Sequence, residues 1–137
     1  MKQITQMLLL AGALCSQALL GQSTPPITRK VVERYAIPGT PNELEMILIE
    51  YQPGAAAPPH LHPVVGLNYI VEGTAESQYE GGALKTFHAG DSYQDPANKK
   101  HLIFRNASQT EPLKFLVACK IRRGHSFVTP IGGEKGH

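Results

Sequence analysis

Residues 54–73 read GAAAPPHLHPVVGLNYIVEG, and this stretch decides the fold of the chain. Prolines flank the pair His60 and His62, and the apolar run that follows ends at Gly73. On a β-strand, residues two apart point to the same face, roughly 6.6 Å apart along the chain. Two imidazoles so placed can tilt onto one ion, because metal–nitrogen distances are about 2 Å. The stretch therefore makes His60 and His62 a candidate pair of metal ligands on a β-strand.

A second informative stretch lies further along, where residues 90–106 read GDSYQDPANKKHLIFRN. Pro96 and a turn precede His101, which begins another apolar run typical of a strand. A histidine pair alone is often a surface accident, and a third histidine in this setting makes a shared metal site the better hypothesis. Asp95 stands directly before Pro96, where its carboxylate can orient His101, act as a base or cap a turn.

In the rest of the chain, frequent turn residues separate many short apolar runs. Its 137 residues contain 11 prolines and 13 glycines, scattered singly or in pairs, and no window has a sustained helical period. Apolar runs between these turn residues predict strands at 31–37, 44–52, 67–71, 74–79, 83–88, 92–95, 101–105 and 113–121. Short strands at this spacing indicate a single all-β sandwich or barrel.

Composition excludes some classes of partner. The formal net charge is only +2, and acidic and basic residues are interspersed. Neither a nucleic acid nor an anionic membrane is an expected partner, since both require a concentrated positive surface. Cys119 lies in the apolar run 114–119, so we expect a buried, inert thiol there.

The N-terminus differs in kind from the rest of the sequence. Residues 1–22 combine an early lysine, an apolar run and small residues, which is the layout of a cleaved signal peptide. The sequence thus predicts a periplasmic or secreted protein with no membrane span in the mature chain. Residues 23–30 are interpreted as an extended arm, 31–123 as the barrel and 124–137 as a mobile C-terminal tail.

The two quoted stretches together resemble the two motifs of the cupin superfamily, in its small single-domain form with the conserved type-2 barrel. The matching positions are Gly54, His60, His62, Gly73, Gly90, Asp91, Pro96 and His101. The resemblance implies a single double-stranded β-helix, or jelly-roll, barrel. It also implies a divalent metal ion held by His60, His62 and His101, and a possible homodimer formed through the outer strands.

One departure from the family pattern affects the expected chemistry. Cupins usually carry a glutamate ligand four residues after the second histidine, and this chain has Gly66 there. Three imidazoles without that anion favour iron, copper, zinc or nickel. Gly66 also predicts open space beside the ion for water, dioxygen or substrate, and Asn68 shares its face of the strand and can reach into that space.

Other polar residues are candidates for the surroundings of the metal. We predict catalytic roles for Asp95, Gln78 and Asn68, with Tyr93 also near the site. His88, His125 and His137 lack a partner at ligand spacing and are interpreted as surface residues. The interval from His101 to Asn106 is one residue longer than the family pattern, which a β-bulge would produce. Asn106 begins a glycosylation sequon, but a turn asparagine is the preferred interpretation.

Three functions remain open at this point. The first is a metalloenzyme that activates dioxygen on a small organic substrate, similar to quercetinases and thiol dioxygenases. The second is a metal-dependent lyase or isomerase of the small-cupin type. The third is a non-enzymatic periplasmic module that binds a metal or a ligand. An enzyme is favoured because an open metal site is typical of catalysis, although the fold alone does not decide.

Overall fold

The computed structural model describes residues 25–131, and within that range the chain forms eleven strands and no helix. Most strand bounds lie within two residues of the predicted ones. The strands are β1 (Ile27–Ala36), β2 (Asn42–Tyr51), β3 (Ala56–Ala57), β4 (His60–Leu61), β5 (Gly66–Glu72), β6 (Thr74–Tyr79), β7 (Lys85–His88), β8 (Ser92–Asp95), β9 (His101–Asn106), β10 (Leu113–Arg122) and β11 (Thr129–Pro130). No membrane-spanning helix occurs among these residues.

The strands form two antiparallel sheets. The five-stranded sheet has the order β1-β2-β10-β5-β8. The six-stranded sheet has the order β11-β4-β9-β6-β7, and β3 also pairs with β9. The chain crosses from one sheet to the other several times, which is the topology of a double-stranded β-helix. The predicted all-β barrel is confirmed.

The core lies between the sheets and is built chiefly by β2 and β10. Alternate residues of these two strands point inward, so each strand has one buried face. The buried apolar residues of the barrel are Ile47, Ile49, Tyr51, Ile70, Ala75, Phe104, Leu113, Phe115, Val117, Cys119, Ile121 and Phe127. Burying each large aliphatic or aromatic side chain stabilises the fold by about 1.5–3 kcal/mol. Cys119 is buried as expected, and burial raises the pKa of its thiol to about 11.

Two predicted boundaries need correction. The extended arm at 23–30 overlaps β1, which begins at Ile27. The predicted tail at 124–137 overlaps a packed segment, because Phe127 is buried in the barrel and Thr129–Pro130 forms β11 against β4. The Phe127 side chain packs in the hydrophobic core and anchors this segment to the barrel. The predicted signal peptide at 1–22 and His137 lie outside the described residues.

The second motif contains the predicted bulge. Gln78 pairs with Ile103 and Tyr79 pairs with His101, so one residue of β9 is left without a partner. The β-bulge expected from the spacing is therefore confirmed.

Asn106 has the structural role that the turn interpretation assigned to it. Its side chain is buried, and its Nδ2 donates to the carbonyl oxygens of Gln52 and Glu111 at 3.2 and 2.7 Å. Its Oδ1 accepts from the backbone N–H of Ser108 at 3.0 Å. These bonds join the loop after β2 to the loop after β9, and a buried amide so occupied cannot accept a glycan.

Candidate metal centre

The three predicted histidines converge in the interior of the barrel, on the inner face of the six-stranded sheet. His60 on β4 pairs in register with His101 at the start of β9, and His62 follows β4 directly. All three side chains are buried, and one ring nitrogen of each lies within 4.8 Å of the other two. This cluster could hold a metal ion, because its nitrogens surround one small volume and belong to ligands that transition metals prefer.

Hydrogen bonds fix which nitrogens of His60 and His62 face the centre. The Nδ1 of His60 lies 2.9 Å from the carbonyl oxygen of Pro58, and the Nδ1 of His62 lies 3.1 Å from that of Phe127. A carbonyl oxygen can only accept, so both Nδ1 atoms carry the hydrogen. In the neutral rings the Nε2 atoms therefore hold free lone pairs, which is the state required of a metal ligand.

His101 is held by a hydroxyl instead of a carbonyl. Its Nε2 lies 2.8 Å from Ser77 Oγ, and its Nδ1 lies 3.4 Å from His62 Nε2. When the Nε2–H of His101 donates to Ser77 Oγ, the lone pair of His101 Nδ1 faces His62 Nε2. These two nitrogens are close enough to bind the same metal ion. Ser77 was not a candidate from the sequence, although it shares the inward face of β6 with Ala75.

The electrostatics of the cluster keep the rings of His60 and His101 neutral. Burial lowers the pKa of His60. Burial, together with the neighbouring His60 and His62, lowers the pKa of His101 to about 3. Neutral imidazoles remain available for a metal ion, since a protonated ring cannot be a ligand.

A buried carboxylate completes the cluster. Asp95, at the end of β8, is 3% exposed, and its Oδ2 lies 3.7 Å from His62 Nε2. Asn68 Nδ2 donates to Oδ2 at 2.9 Å, and Tyr79 Oη donates to Oδ1. Among residues 25–131, no lysine or arginine forms an ion pair with this carboxylate. A buried anion without a cation is unfavourable, and a divalent cation held by the three nitrogen donors would balance the charge of Asp95.

Tyr79 was not predicted and connects two parts of the centre. Its ring stacks on His101 with centroids 4.0 Å apart and an interplanar angle of 14°. Burial and the negative charge of Asp95 raise the pKa of Tyr79 above its ordinary value, so the phenol keeps its proton. Alternation along β6 could have indicated Tyr79, because it lies two residues after the inward-facing Ser77.

Of the other predicted residues, Asn68 and Tyr93 lie at the site and Gln78 does not. Asn68 is buried beside Asp95, and its Oδ1 has no hydrogen-bond partner among the described residues. Tyr93 also lines the site and stacks on Phe87. Gln78 is not at the site: it follows Ser77 on β6, points to the opposite face, and donates from Nε2 to the Gly82 carbonyl at 3.0 Å.

The two other histidines within the described range are exposed, as predicted. His88 lies at the end of β7, and His125 lies in the turn after β10. Neither belongs to the cluster.

The expectation of open space at Gly66 is wrong. A Cβ atom on Gly66 would lie 2.4 Å from Cζ of Phe127, so the phenyl ring already fills the position of the missing glutamate. The same ring stacks on His62 with centroids 4.4 Å apart. Asn68 therefore reaches Asp95 and not a vacated region. Phe127 lies in the segment interpreted as a tail, so no local pattern connected it with Gly66.

The space at the centre is small. The cavity bounded by the three histidines, Asp95 and Arg29 has about 20 Å³ of free volume, room for about one water molecule or ion. A second cavity of about 170 Å³ adjoins it, and Arg29, Ile49, Phe127 and Val128 line both. A third, of about 640 Å³, lies behind Ser77 and Tyr79.

Comparison with known proteins adds a family and a set of similar folds. The family described as Cupin domain matches residues 47–119. No curated protein matches the sequence. The chain is 20% identical to the polyketide cyclase RemF from Streptomyces resistomycificus, with a TM-score of 0.59, covering 77% of this chain and 71% of that one. For KdgF from Halomonas sp. the identity is 25% and the TM-score 0.55, with 74% and 84% covered.

A further similar structure is the DMSP lyase DddQ from Ruegeria pomeroyi. The identity is 22% and the TM-score 0.57, over 68% of this chain and 45% of that one. At such identities, the cyclase and the lyase show similarity of fold alone.

Proposed function

This chain belongs to the cupin family, and we propose that it is a metal-dependent enzyme that acts on a small organic substrate. The observation that carries the proposal is the convergence of three buried imidazoles beside a buried carboxylate that forms no ion pair with a described lysine or arginine. His60, His62 and His101 are the proposed ligands. Iron, copper, zinc and nickel are the candidates, because imidazole suits all four.

The residues around the ligands support proton transfer. When bound, the metal ion polarises an oxygen atom of the substrate as a Lewis acid. Asp95 is the proposed base, since its Oδ2 faces the cluster at 3.7 Å from His62 Nε2. Tyr79 holds the other carboxylate oxygen by its hydroxyl proton, and Asn68 fixes the orientation of Asp95 through its amide. Asn68 is therefore a positioning residue in this proposal.

These contacts favour a lyase or isomerase over an oxygenase. The oxygenase expectation depended on open space at Gly66, and the Phe127 ring fills that space. A carboxylate paired with a phenol beside the metal site is suited to removing a proton next to a carbonyl group and returning it elsewhere. Dioxygen activation is the second candidate, supported by the imidazole-rich ligand set.

Two further proposals concern the state of the protein. Export by a signal peptide at 1–22 rests on the sequence pattern alone. A homodimer is supported by the outer face of the five-stranded sheet, which exposes large apolar side chains that water solvates poorly. Those side chains are Leu44, Met46, Leu67, Tyr69 and Val71.

Metal titration followed by two activity measurements tests the proposed function. Chelator-treated protein is titrated with Fe²⁺, Cu²⁺, Zn²⁺ and Ni²⁺, and the affinity is compared with that of His101→Ala and of His125→Ala. We expect His101→Ala to weaken binding about 100-fold or more, since it removes a ligand, and His125→Ala to bind like the unmodified chain. Loaded protein is then incubated with 2-hydroxy and 2-oxo acids in D₂O, with and without dioxygen.

Each outcome of that experiment decides between the open functions. Metal-dependent incorporation of deuterium without oxygen uptake supports the lyase or isomerase. Oxygen consumption moves the assignment to the oxygenase. Stoichiometric metal with neither reaction identifies a binding module, and the absence of stoichiometric metal overturns the proposal.

A further inference from the structure

Arg29 is a positive charge on the inner face of the barrel. On β1 it pairs in register with Ile49, whose side chain is buried in the core. Residues opposite each other in an antiparallel pair point to the same face, so Arg29 points inward between Ile27 and Val31. It lies in an edge strand and is exposed, so its guanidinium is open to solvent and also lines the cavity of the histidine cluster.

The position of Arg29 is the junction between two cavities. The cavity at the histidines and the larger one beside it share Arg29, Ile49, Phe127 and Val128. β1 and β11 are the edges of different sheets, and no strand pairing joins them. A molecule that approached the histidines between β1 and β11 would pass the guanidinium of Arg29.

The charge of Arg29 is not balanced by its surroundings. The charged residues that line the larger cavity include Arg34 and Glu45, which form an ion pair with Arg34 Nε 2.9 Å from Glu45 Oε1. Within residues 25–131, Arg29 forms no ion pair. Among the described residues that line the two cavities, Arg29 is therefore a guanidinium without an ion-pair partner, and it shares the smaller cavity with the proposed metal ligands and Asp95.

A neighbouring hydroxyl complements the guanidinium. Tyr51 is 2% exposed and lines the histidine cavity, where its ring packs against Phe104 and Phe115. Arg29 and Tyr51 line the same cavity. Burial raises the pKa of Tyr51 to about 12, while the positive charge of Arg29 acts in the opposite direction. A phenol that keeps its proton and a guanidinium are both donors, and together they suit a carboxylate.

We propose that Arg29, assisted by Tyr51, binds the carboxylate of the substrate, so that the site selects small organic acids. This inference rests on the proposed function, because it treats the histidine cluster as the reaction centre. The planar guanidinium can form two parallel hydrogen bonds to a carboxylate, which a lysine cannot. The free volume at the histidines is that of a single water molecule, so the acid must be small or must extend into the larger cavity.

Titration with a matched pair of probes tests this proposal. Glycolate carries a carboxylate, and glycolamide has nearly the same shape without the charge. Binding of each to the zinc-loaded chain is followed by NMR chemical shifts, which can measure weak affinities. We expect glycolate to bind Arg29→Gln about tenfold or more weakly than the unmodified chain, the usual loss for a hydrogen bond to a charged group. Arg29→Lys should lie between the two.

Lys30→Gln is the matched control. It removes the same charge from the adjacent position of β1, whose register partner Leu48 lies outside the buried core. Glycolate affinity unchanged in Lys30→Gln, and glycolamide affinity unchanged in Arg29→Gln, complete the expected result. Equal affinity for both probes, or equal glycolate affinity in Arg29→Gln and the unmodified chain, would overturn the inference.

The same titration on metal-free protein separates this inference from the proposed function. If zinc does not bind, the proposed function fails, while an Arg29-dependent preference for glycolate in the metal-free chain still supports a carboxylate site. If zinc binds and the preference is absent, the metal site stands and the role of Arg29 is wrong.

Discussion

The two sheets of the barrel are built in different ways. In the five-stranded sheet, β1, β2 and β10 are ten residues long, and β2 and β10 pair without interruption from Tyr51↔Leu113 to Asn42↔Arg122. In the six-stranded sheet no strand exceeds six residues, and β4 pairs with β9 only at His60↔His101. All three histidines of the cluster come from the shorter strands or the residue directly after one.

This difference separates two tasks of the molecule. Long, regular strands with one aliphatic face bury apolar surface, and that burial is the main source of stability. Short strands end in turns, and turns and bulges re-aim side chains at positions that regular pairing would not allow. The five-stranded sheet thus provides the core, and the six-stranded sheet directs His60, His62 and His101 to one point. Three predictions test how complete this separation is.

The largest effect is expected from a cavity in the five-stranded sheet. Ile70 on β5 is 0% exposed, and Ile70→Ala should lower the free energy of unfolding by about 2–5 kcal/mol, because the lost contacts leave a cavity. Urea unfolding measures this loss. The zinc affinity of the folded protein should stay within about twofold, since Ile70 does not line the histidine cavity.

Glu72→Gln is the control on the same strand. Glu72 is exposed and its ion pair with Lys114 lies at the surface, so its replacement should change stability by about 0.5 kcal/mol or less. A tenfold loss of zinc affinity in Ile70→Ala would show that the core and the cluster are coupled, and the separation of tasks would then be wrong.

An intermediate effect is expected where the sheets meet. Gly66 lies in the five-stranded sheet, and a methyl group there would collide with the Phe127 ring that stacks on His62. Gly66→Ala should lower the free energy of unfolding by about 1–3 kcal/mol, as overpacking usually does. It should also weaken zinc binding, because displacing Phe127 moves the carbonyl that holds His62 Nδ1. Unfolding curves and zinc titrations measure the two effects.

A double-mutant cycle sharpens this prediction. Phe127→Ala removes the ring, so Gly66→Ala in that background should cost much less than in the unmodified chain. Gly82→Ala is the control, since Gly82 is an exposed turn residue whose added Cβ would make its nearest contact at 3.4 Å. Additive effects of Gly66→Ala and Phe127→Ala would contradict the proposed collision.

The sequence predicted the five-stranded sheet better than the site. Alternation in 44–52 and 113–121 is a local pattern, and it is imposed by the same burial that forms β2 and β10. The three histidines were also predictable, because two motifs in a fixed order carry them. The bulge in β9 followed from a single extra residue.

The residues that surround the three histidines could not be predicted from local sequence patterns. Phe127 reaches Gly66 across a long sequence separation, and neither residue shows by itself that it has such a partner. Ser77 and Gln78 are adjacent, and only the register of β6 decides that Ser77 meets His101 while Gln78 faces away. A one-residue shift of register exchanges the two faces of a strand, so polar neighbours are easily confused.

The smallest effect concerns pH, and it belongs to the six-stranded sheet. Burial and neighbouring rings hold the pKa of His101 at about 3, below the 6.5 of an exposed histidine. Between these values the unfolded chain binds more protons than the folded one, so the stability due to His101 is complete above pH 6.5 and falls as the pH falls. Metal-free protein should lose about 1 kcal/mol between pH 7.5 and pH 5.8, as measured by urea unfolding.

Replacing His101 tests whether the cluster causes this pH dependence. His101→Asn removes the titrating ring, so its stability should change less over the same interval, with the remaining slope due in part to His60, whose pKa burial also lowers. His125→Asn removes an exposed histidine and should keep the slope of the unmodified chain. The interval above pH 5.8 leaves ordinary carboxylates ionised, so they contribute little. An equal slope in His101→Asn would place the acid sensitivity outside the cluster, and the contrast between the two sheets would then not extend to their response to pH.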